Sequence, residues 1–530
     1  MTRIDKILLI FVVALLCASS GMQVLAAYAG DKDWLLLASR VWLGGGRLYV
    51  DIVEVNPPLI LWLYAIPVWV STHILSFKDY QVLGLIGLGF VALSLWLSVL
   101  LIRLHPQFTG DKRRQICFAL LLACVFVLFT RPAYFFDRDH IFFVLTFPYL
   151  LRFMPSLTAR QIDWRMHLVI GVLAALGFCI KPYTLIFFTV LQLLVICRQR
   201  SFAILWSLEN AIIYVISLIY LFCVWHFTPD YIRTVLPMAL VTYSAFHRRS
   251  IGIFYCILAF ITAGMTFADF RPRFVTPYRR DIYYFLGVAG GFLLYALAGN
   301  GWGYTYHPLL SHLLFLSGWA LWEYSWLRHE HDVQSADVRQ FVFGQRACAI
   351  LLLSNALFFF YCIVAFCITP MCEWSHECKK AQPFIQYLKG HNAQSFGILG
   401  EDVHQPAAIA RLSGARFSVR YNHLWMVPKL VSEGQEFTKH NQWIIEDVGR
   451  ALADDLAYKK PEVMFVDNSQ SFFGYSVHVD LIAFFSDIPE FREAWSHYHY
   501  ASAIDRCKIM ESGGNETAAG CKYDVYDRAP

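Results

Sequence analysis

The run LILWLYAIPVWVSTHIL, Leu59 to Leu75, decides how the chain is threaded. It is apolar enough to enter a bilayer, yet shorter than the roughly 20 residues a helix needs to cross one. Eleven other segments read as spans: 7–27, 81–102, 116–130, 141–154, 167–180, 183–197, 208–225, 251–268, 282–299, 308–326 and 347–368. Those at 141–154 and 167–197 are short and imply tilt or partial re-entry. If Leu59–Leu75 does not span, the clusters Arg3/Lys6, Arg103/Lys112/Arg113/Arg114, Arg152/Arg160/Arg165, Arg198/Arg200, Arg271/Arg273/Arg279/Arg280 and Arg328/Arg339/Arg346 share one side. Cytoplasmic loops are the ones enriched in Lys and Arg. If it did span, every later cluster would face outward. Pro57 and Pro58 open the run and Pro67 interrupts it, so it reads as a helix in, or dipping into, the outer interface.

Composition agrees with a membrane chain. Of 530 residues, 57% are hydrophobic and only 16% charged, with mean hydropathy +0.47, against about 25% charged in a soluble protein. That balance excludes a disordered chain, an ordinary cytosolic enzyme and a nucleic-acid-binding domain. The net charge of +5 is mild, and its placement matters more than its size. The expected fold is mainly α: a polytopic bundle of about 11 spans over 1–370, with an outer loop 28–80, followed by a soluble α/β domain at 371–530. The first span ends in Leu25-Ala26-Ala27-Tyr28-Ala29 and reads as an uncleaved signal anchor with a cytoplasmic N-terminus.

After 373 charges return and apolar runs shorten. Ser395–Leu399, Arg416–Arg420, Glu462–Val466 and Tyr523–Tyr526 read as strands, and Gln442–Tyr458 as a helix. On the outer, oxidising side, Cys372, Cys378, Cys507 and Cys521 are available for disulfides whose pairing the sequence leaves open. The sequon Asn515-Glu516-Thr517 reads as a chance match.

The outward face carries the polar chemistry. Its first loop contains DKDWLLLASRVWLGGGRLYVDIVEVNPP, Asp31 to Pro58. Asp31, Lys32 and Asp33 precede an apolar helical stretch that Gly44–Gly46 breaks, and Asp51 and Glu54 follow. These carboxylates are either solvated loop charges, with Asp31 or Asp33 capping the helix, or an acid/base or cation site at the interface. A second loop ends in Asp137-Arg138-Asp139-His140, where charges at a span mouth face a cavity more often than lipid. Lys181-Pro182 interrupts an apolar stretch, and Trp302, Tyr304, Tyr306 and His307 gather in a turn that also fits an aromatic belt.

Taken together these residues resemble the GT-C glycosyltransferase superfamily, in the branch of aminoarabinose transferases and protein O-mannosyltransferases. The matching positions are Asp31, Arg40, Gly46, Leu48, Tyr49, Asp51, Glu54, Asn56, Pro57 and Pro58, then Arg138-Asp139-His140, Lys181-Pro182 and the turn 301–307. Where many members carry Asp-Glu this chain has Asp31-Lys32-Asp33; register from Arg40 favours Asp31, with Asp33 the fallback. The resemblance implies a bacterial inner-membrane enzyme, its C-terminal domain periplasmic. It would move a sugar from a polyprenyl-phosphate donor to a hydroxyl on a lipid, glycan or protein acceptor, with inversion. It implies Asp31 as base, Asp139 orienting the acceptor or a metal, and Lys181, Arg138 and His307 near the leaving phosphate. Arg40, Asp51, Glu54, His140, Trp302 and Tyr306 would complete substrate binding, with the Leu59–Leu75 helix bordering the prenyl groove. Metal dependence is open, a divalent Mg or Mn ion being the candidate cofactor. Membrane lipids are partners; nucleic acid is not. The competing readings are a flippase or transporter for a lipid-linked sugar, and a non-catalytic assembly factor.

Overall fold

The computed structural model describes residues 3–25, 30–106, 108–155, 157, 162–246, 276–299, 303–330, 369–400, 405–469, 478–505 and 522–529. The expected spans 251–268 and 347–368, Trp302, the four outer cysteines' side chains and the sequon lie outside what is described. The first helices are α1 (Arg3–Leu25), α2 (Asp31–Leu43), α3 (Leu59–His73), α4 (Asp79–Arg103), α5 (Lys112–Ala123), α6 (Arg138–Arg152), α7 (Trp164–Phe178), α8 (Thr184–Gln199) and α9 (Leu208–Phe227). Longer helices follow at Thr276–Ala298, His307–Glu330 and Thr369–Gly390. The chain divides into two compact units: Met1–Ala26 with Gln81–Phe222 and His247–Pro370, and Ala27–Tyr80 with Cys223–Phe246 and Met371–Pro530.

The first unit is helical. Among the described residues, α4 and α9 are long and apolar enough to cross a membrane, and shorter apolar helices accompany them. On α9, Leu218, Ile219 and Leu221 are 66, 57 and 61% exposed. A continuous apolar face of that kind is stable where lipid rather than water covers it. By contrast, α6 is buried on every side, from Arg138 to Arg152, and is the central helix of the unit.

Close approach between α1 and α4 depends on Gly84, where an added Cβ would lie 2.6 Å from the Gln23 carbonyl oxygen. The helix after α5 widens into a π-turn, Cys124–Leu128, which frees carbonyls from the regular ladder. The Val127 carbonyl accepts instead from Ser19 Oγ at 3.2 Å and Gln23 Nε2 at 3.3 Å, and Gln23 also reaches the Thr130 carbonyl at 2.8 Å.

A five-stranded sheet, in the order β2-β1-β3-β5-β4, forms the second unit's centre. Its strands are β1 (Ser395–Leu399), β2 (Arg416–Phe417), β3 (Val463–Asp467), β4 (Tyr498–Asp505) and β5 (Lys522–Arg528). β2, β1 and β3 are parallel, while β5 pairs antiparallel with β3 and β4. β1 and β3 are buried at every position, as expected of parallel strands covered on both faces. Phe384, Ile385 and Leu388 of the helix Thr369–Gly390 pack on Phe396, Phe465 and Val525. The strand expected at Arg416–Arg420 is shorter: the Ser418 N–H still donates to the Phe396 carbonyl of β1 at 2.8 Å, but further on the Arg420 backbone and guanidinium bind Asp455 instead. The helix expected over Gln442–Tyr458 is α-helical to Asp454 and then widens into a π-turn.

Candidate functional site

Predicted residues gather in two places, one in each unit. In the first unit, Asp137 precedes α6 in extended conformation and Arg138, Asp139 and His140 form its first turn. All four are buried, and isolated buried charge is too costly to persist unpaired. Asp139 therefore accepts from Lys181 Nζ at 2.6 Å and from the Tyr295 hydroxyl at 2.5 Å. Arg138 Nε donates to Asp137 at 3.2 Å, and its guanidinium lies 5.6 Å from the Tyr304 ring centre. Lys181 Nζ is 5.0 Å from the same ring, within cation–π range. The lysine is presented by the turn between α7 and α8, which the Thr184 hydroxyl closes onto the Lys181 carbonyl at 2.6 Å.

Two histidines complete this cluster. The Phe136 N–H donates to His140 Nδ1 at 2.9 Å, so Nε2 carries the proton and donates to the Phe126 carbonyl at 2.9 Å. That turn holds Phe136 at φ 56, an unusual conformation for an aromatic residue. His307 stands 5.5 Å from the His140 ring with Nε2 3.2 Å from Thr130 Oγ1. Its buried Nδ1 has no hydrogen-bond partner among the described residues. Tyr306 is buried beside it. Two cations and an imidazole nitrogen on one buried surface can hold an oxyanion such as a phosphate.

The second gathering belongs to α2 and the loop after it. Gly30, at φ 137, stands at the N-cap without a side-chain cap bond; neither Asp31 nor Asp33 caps the helix, because both already lie in its first turn. Asp31 is partly exposed and Asp33 buried. Asp33 Oδ2 accepts from Arg411 Nη2 at 2.9 Å and Nε at 3.2 Å. Burial pushes the Asp33 carboxyl above its ordinary range, and Arg411 acts against that shift. Arg40 forms an ion pair with Asp79. Asp51 accepts from the Arg47 N–H at 2.7 Å, and Lys459 reaches its carbonyl at 2.9 Å. Glu54 is buried and structural in its contacts: it accepts from Trp34 Nε1 at 2.7 Å and the Asn56 N–H at 3.0 Å. Tyr49, at φ 68, donates to the Asn56 carbonyl at 2.8 Å. Together these bonds rigidify the loop that carries the acidic residues.

Sequence reading did not single out Tyr295, Thr130, Asp79, Arg411 or Arg416. Tyr295 and Arg411 lie 156 and 378 residues from their carboxylate partners, and no local motif marks either. Among the described residues no group of three or more His, Cys, Asp or Glu is arranged to hold a metal. Both Asp139 oxygens accept hydrogen bonds, one from Lys181 and one from Tyr295.

No family model and no curated protein matches this chain in sequence. Its structure is similar to the crystal structure of ArnT from Cupriavidus metallidurans bound to undecaprenyl phosphate, with TM-score 0.51 and 10% identity, covering 98% of this chain and 97% of that one. At that identity the likeness shows the fold alone, and it agrees with the fold that the resemblance read from the sequence implies. The archaeal oligosaccharyltransferase AglB from Archaeoglobus fulgidus, in complex with an inhibitory peptide and a dolichol-phosphate, also matches, at TM-score 0.40 and 10% identity over 96% of this chain and 74% of that one. Another structure of the Archaeoglobus fulgidus oligosaccharyltransferase, tethered to an acceptor peptide, matches at TM-score 0.43 and 10% identity over 98% and 88%.

Proposed function

We propose that this protein is a multi-pass glycosyltransferase of the bacterial inner membrane, taking a sugar from a polyprenyl-phosphate donor at the periplasmic face. The observation that carries the reading is the buried cluster of Lys181, Arg138 and His307 around Asp139, in a chain whose fold follows that of ArnT along nearly its whole length. A phosphate leaving group needs fixed cations in a site without bulk water. Lys181 keeps further N–H donors beyond the one given to Asp139.

The reaction is a single displacement. As the acceptor oxygen bonds to the anomeric carbon, the bond from that carbon to the phosphate oxygen breaks and configuration inverts. Asp31 takes the hydroxyl proton, and the polyprenyl phosphate departs with the electron pair. Asp31 suits the role because, unlike Asp33, it is partly exposed at a helix N-terminus. Asp139 holds Lys181 and Tyr295 in place and orients the acceptor.

The competing transporter reading calls for charge at mid-span, whereas the second polar cluster, where Arg152 Nε and His167 Nδ1 meet Glu209 at 2.7 and 2.6 Å, stands at the ends of its helices. The test is reconstitution of wild type and Asp31→Asn in vesicles with a panel of radiolabelled polyprenyl-phosphate sugars and a membrane extract as acceptor pool. Transfer by wild type and its loss in Asp31→Asn, with donor binding kept, supports the enzyme. Donor movement across the bilayer without transfer, indifferent to Asp31, supports the transporter.

A further inference from the structure

Within the second unit lies a cavity of about 1050 Å³, lined in part by Asp33, Arg40 and Asp51, that the proton transfer to Asp31 does not itself use. On α2 it is lined by Asp33, Leu36, Leu37, Arg40 and Val41, one face of a helix. At 3.6 residues per turn, Asp31 points roughly 150° away from the middle of that face. The cavity therefore lies behind the proposed base.

Its walls hold the cations Arg40, Lys78, Arg411, Arg416 and Lys459 against the carboxylates Asp33, Asp51 and Asp79. Arg411 is paired with Asp33, Arg40 with Asp79, and Lys459 with Asp455. Arg416, by contrast, is exposed and makes no ion pair among the described residues. Tyr458, in the same lining, is 82% exposed, its ring open to a ligand. A lining this rich in charge is a poor host for a prenyl chain, and its volume exceeds what a single ion or monosaccharide fills.

We infer that this cavity binds an anionic oligosaccharide, with a phosphate or carboxylate on the Arg416 guanidinium and a sugar face on the Tyr458 ring. A guanidinium fork matches either oxyanion in two parallel hydrogen bonds, and an exposed aromatic face offers apolar area to sugar C–H groups. The anion follows from the charge balance of the walls; the carbohydrate rests on the glycosyltransferase reading.

The test is calorimetric titration of the purified full chain in detergent with trigalacturonate, a phosphorylated maltotriose, neutral maltotriose and tripolyphosphate. At least one anionic trisaccharide binds tenfold or more tightly than maltotriose, and which one identifies the anion. Arg416→Ala removes that preference, and Tyr458→Ala weakens the anionic and neutral trisaccharides alike. Equal binding of neutral and anionic trisaccharides, or a preference that survives Arg416→Ala, overturns the assignment. Tripolyphosphate binding as tightly as the best sugar overturns the carbohydrate half. Because the readout is binding, failure of sugar transfer in the Asp31 experiment with these affinities intact would remove the proposed reaction and leave the cavity assigned.

Discussion

Arg411→Ala probes how the C-terminal sheet domain holds the acidic helix α2. In the native protein Arg411 places two nitrogens on Asp33 Oδ2, at 2.9 and 3.2 Å. Asp33 is 6% exposed and Arg411 side-chain exposure is 27%. Breaking a fully buried pair from one side costs about 3–5 kcal/mol, because the remaining charge is stranded. The partial exposure of Arg411 lowers that to roughly 2–4 kcal/mol. At 1.36 kcal/mol per decade, the amides of α2 should exchange with solvent roughly 30- to 900-fold faster in Arg411→Ala. Removing the stranded charge as well, in Asp33→Asn/Arg411→Ala, should recover more than half of the loss, a coupling that a double-mutant cycle isolates.

The effect also has a direction with pH. Burial holds the Asp33 carboxyl above its ordinary value of 3.8, and Arg411 opposes this. A carboxyl whose folded value is raised contributes stability that is complete below the unfolded value and is lost as pH rises through the folded one. Without Arg411 the folded value climbs further, so the penalty of Arg411→Ala grows from acid toward neutral pH and shrinks on acidification. Hydrogen exchange read by mass spectrometry at pH 5 and 7 measures both. An exchange change below threefold at pH 7, with no recovery in the double variant, would refute the argument and mark the pair as surface-like.

Three further outcomes are expected. Gly84→Ala drives a methyl group toward the Gln23 carbonyl, backbone that cannot swing aside, and should destabilise the α1–α4 packing by about 1–3 kcal/mol; Gly89→Ala, with nothing within 4 Å, is the control, and a thermal melt compares them. Lys181→Met leaves the Asp139 carboxylate buried with its ammonium partner gone and should lower sugar transfer at least a hundredfold, near the effect of losing a preorganised donor; steady-state kinetics against donor concentration check this, and Lys181→Arg should restore part of it. Glu54→Gln cannot accept from both Trp34 and Asn56 as the carboxylate does and should cost roughly 1–3 kcal/mol, visible as a shift of the Trp34 fluorescence and an earlier melt.

How much of this was legible in the sequence differs from residue to residue. α2 and its break were readable because Gly44, at the C-cap, and Gly45, at φ 95, end an otherwise regular apolar stretch. The Leu59–Leu75 run was readable as one helix, found at Leu59–His73, since Pro57 and Pro58 can only precede it. β1 was legible to the residue, being short, apolar and flanked by turn-forming residues. β4 was not, because Tyr498–Asp505 is largely polar and takes its conformation from pairing with β5. Asp139 and Lys181 announced themselves as charges among apolar neighbours. Tyr295 did not, since a tyrosine in an apolar helix becomes informative only once its hydroxyl is seen on a carboxylate 156 residues away. Arg411 and Arg416 look like ordinary surface charges until the fold sets them against α2 and the cavity.

The central claim is sugar transfer from a polyprenyl phosphate with Asp31 as the base. Its most direct measurement is the product balance of purified protein in vesicles given a donor of defined anomeric configuration. Wild type should release one polyprenyl phosphate for each sugar transferred, with the product of opposite anomeric configuration, and Asp31→Asn should do neither while still binding donor. Retained configuration, or undiminished release of polyprenyl phosphate by Asp31→Asn, would contradict the account.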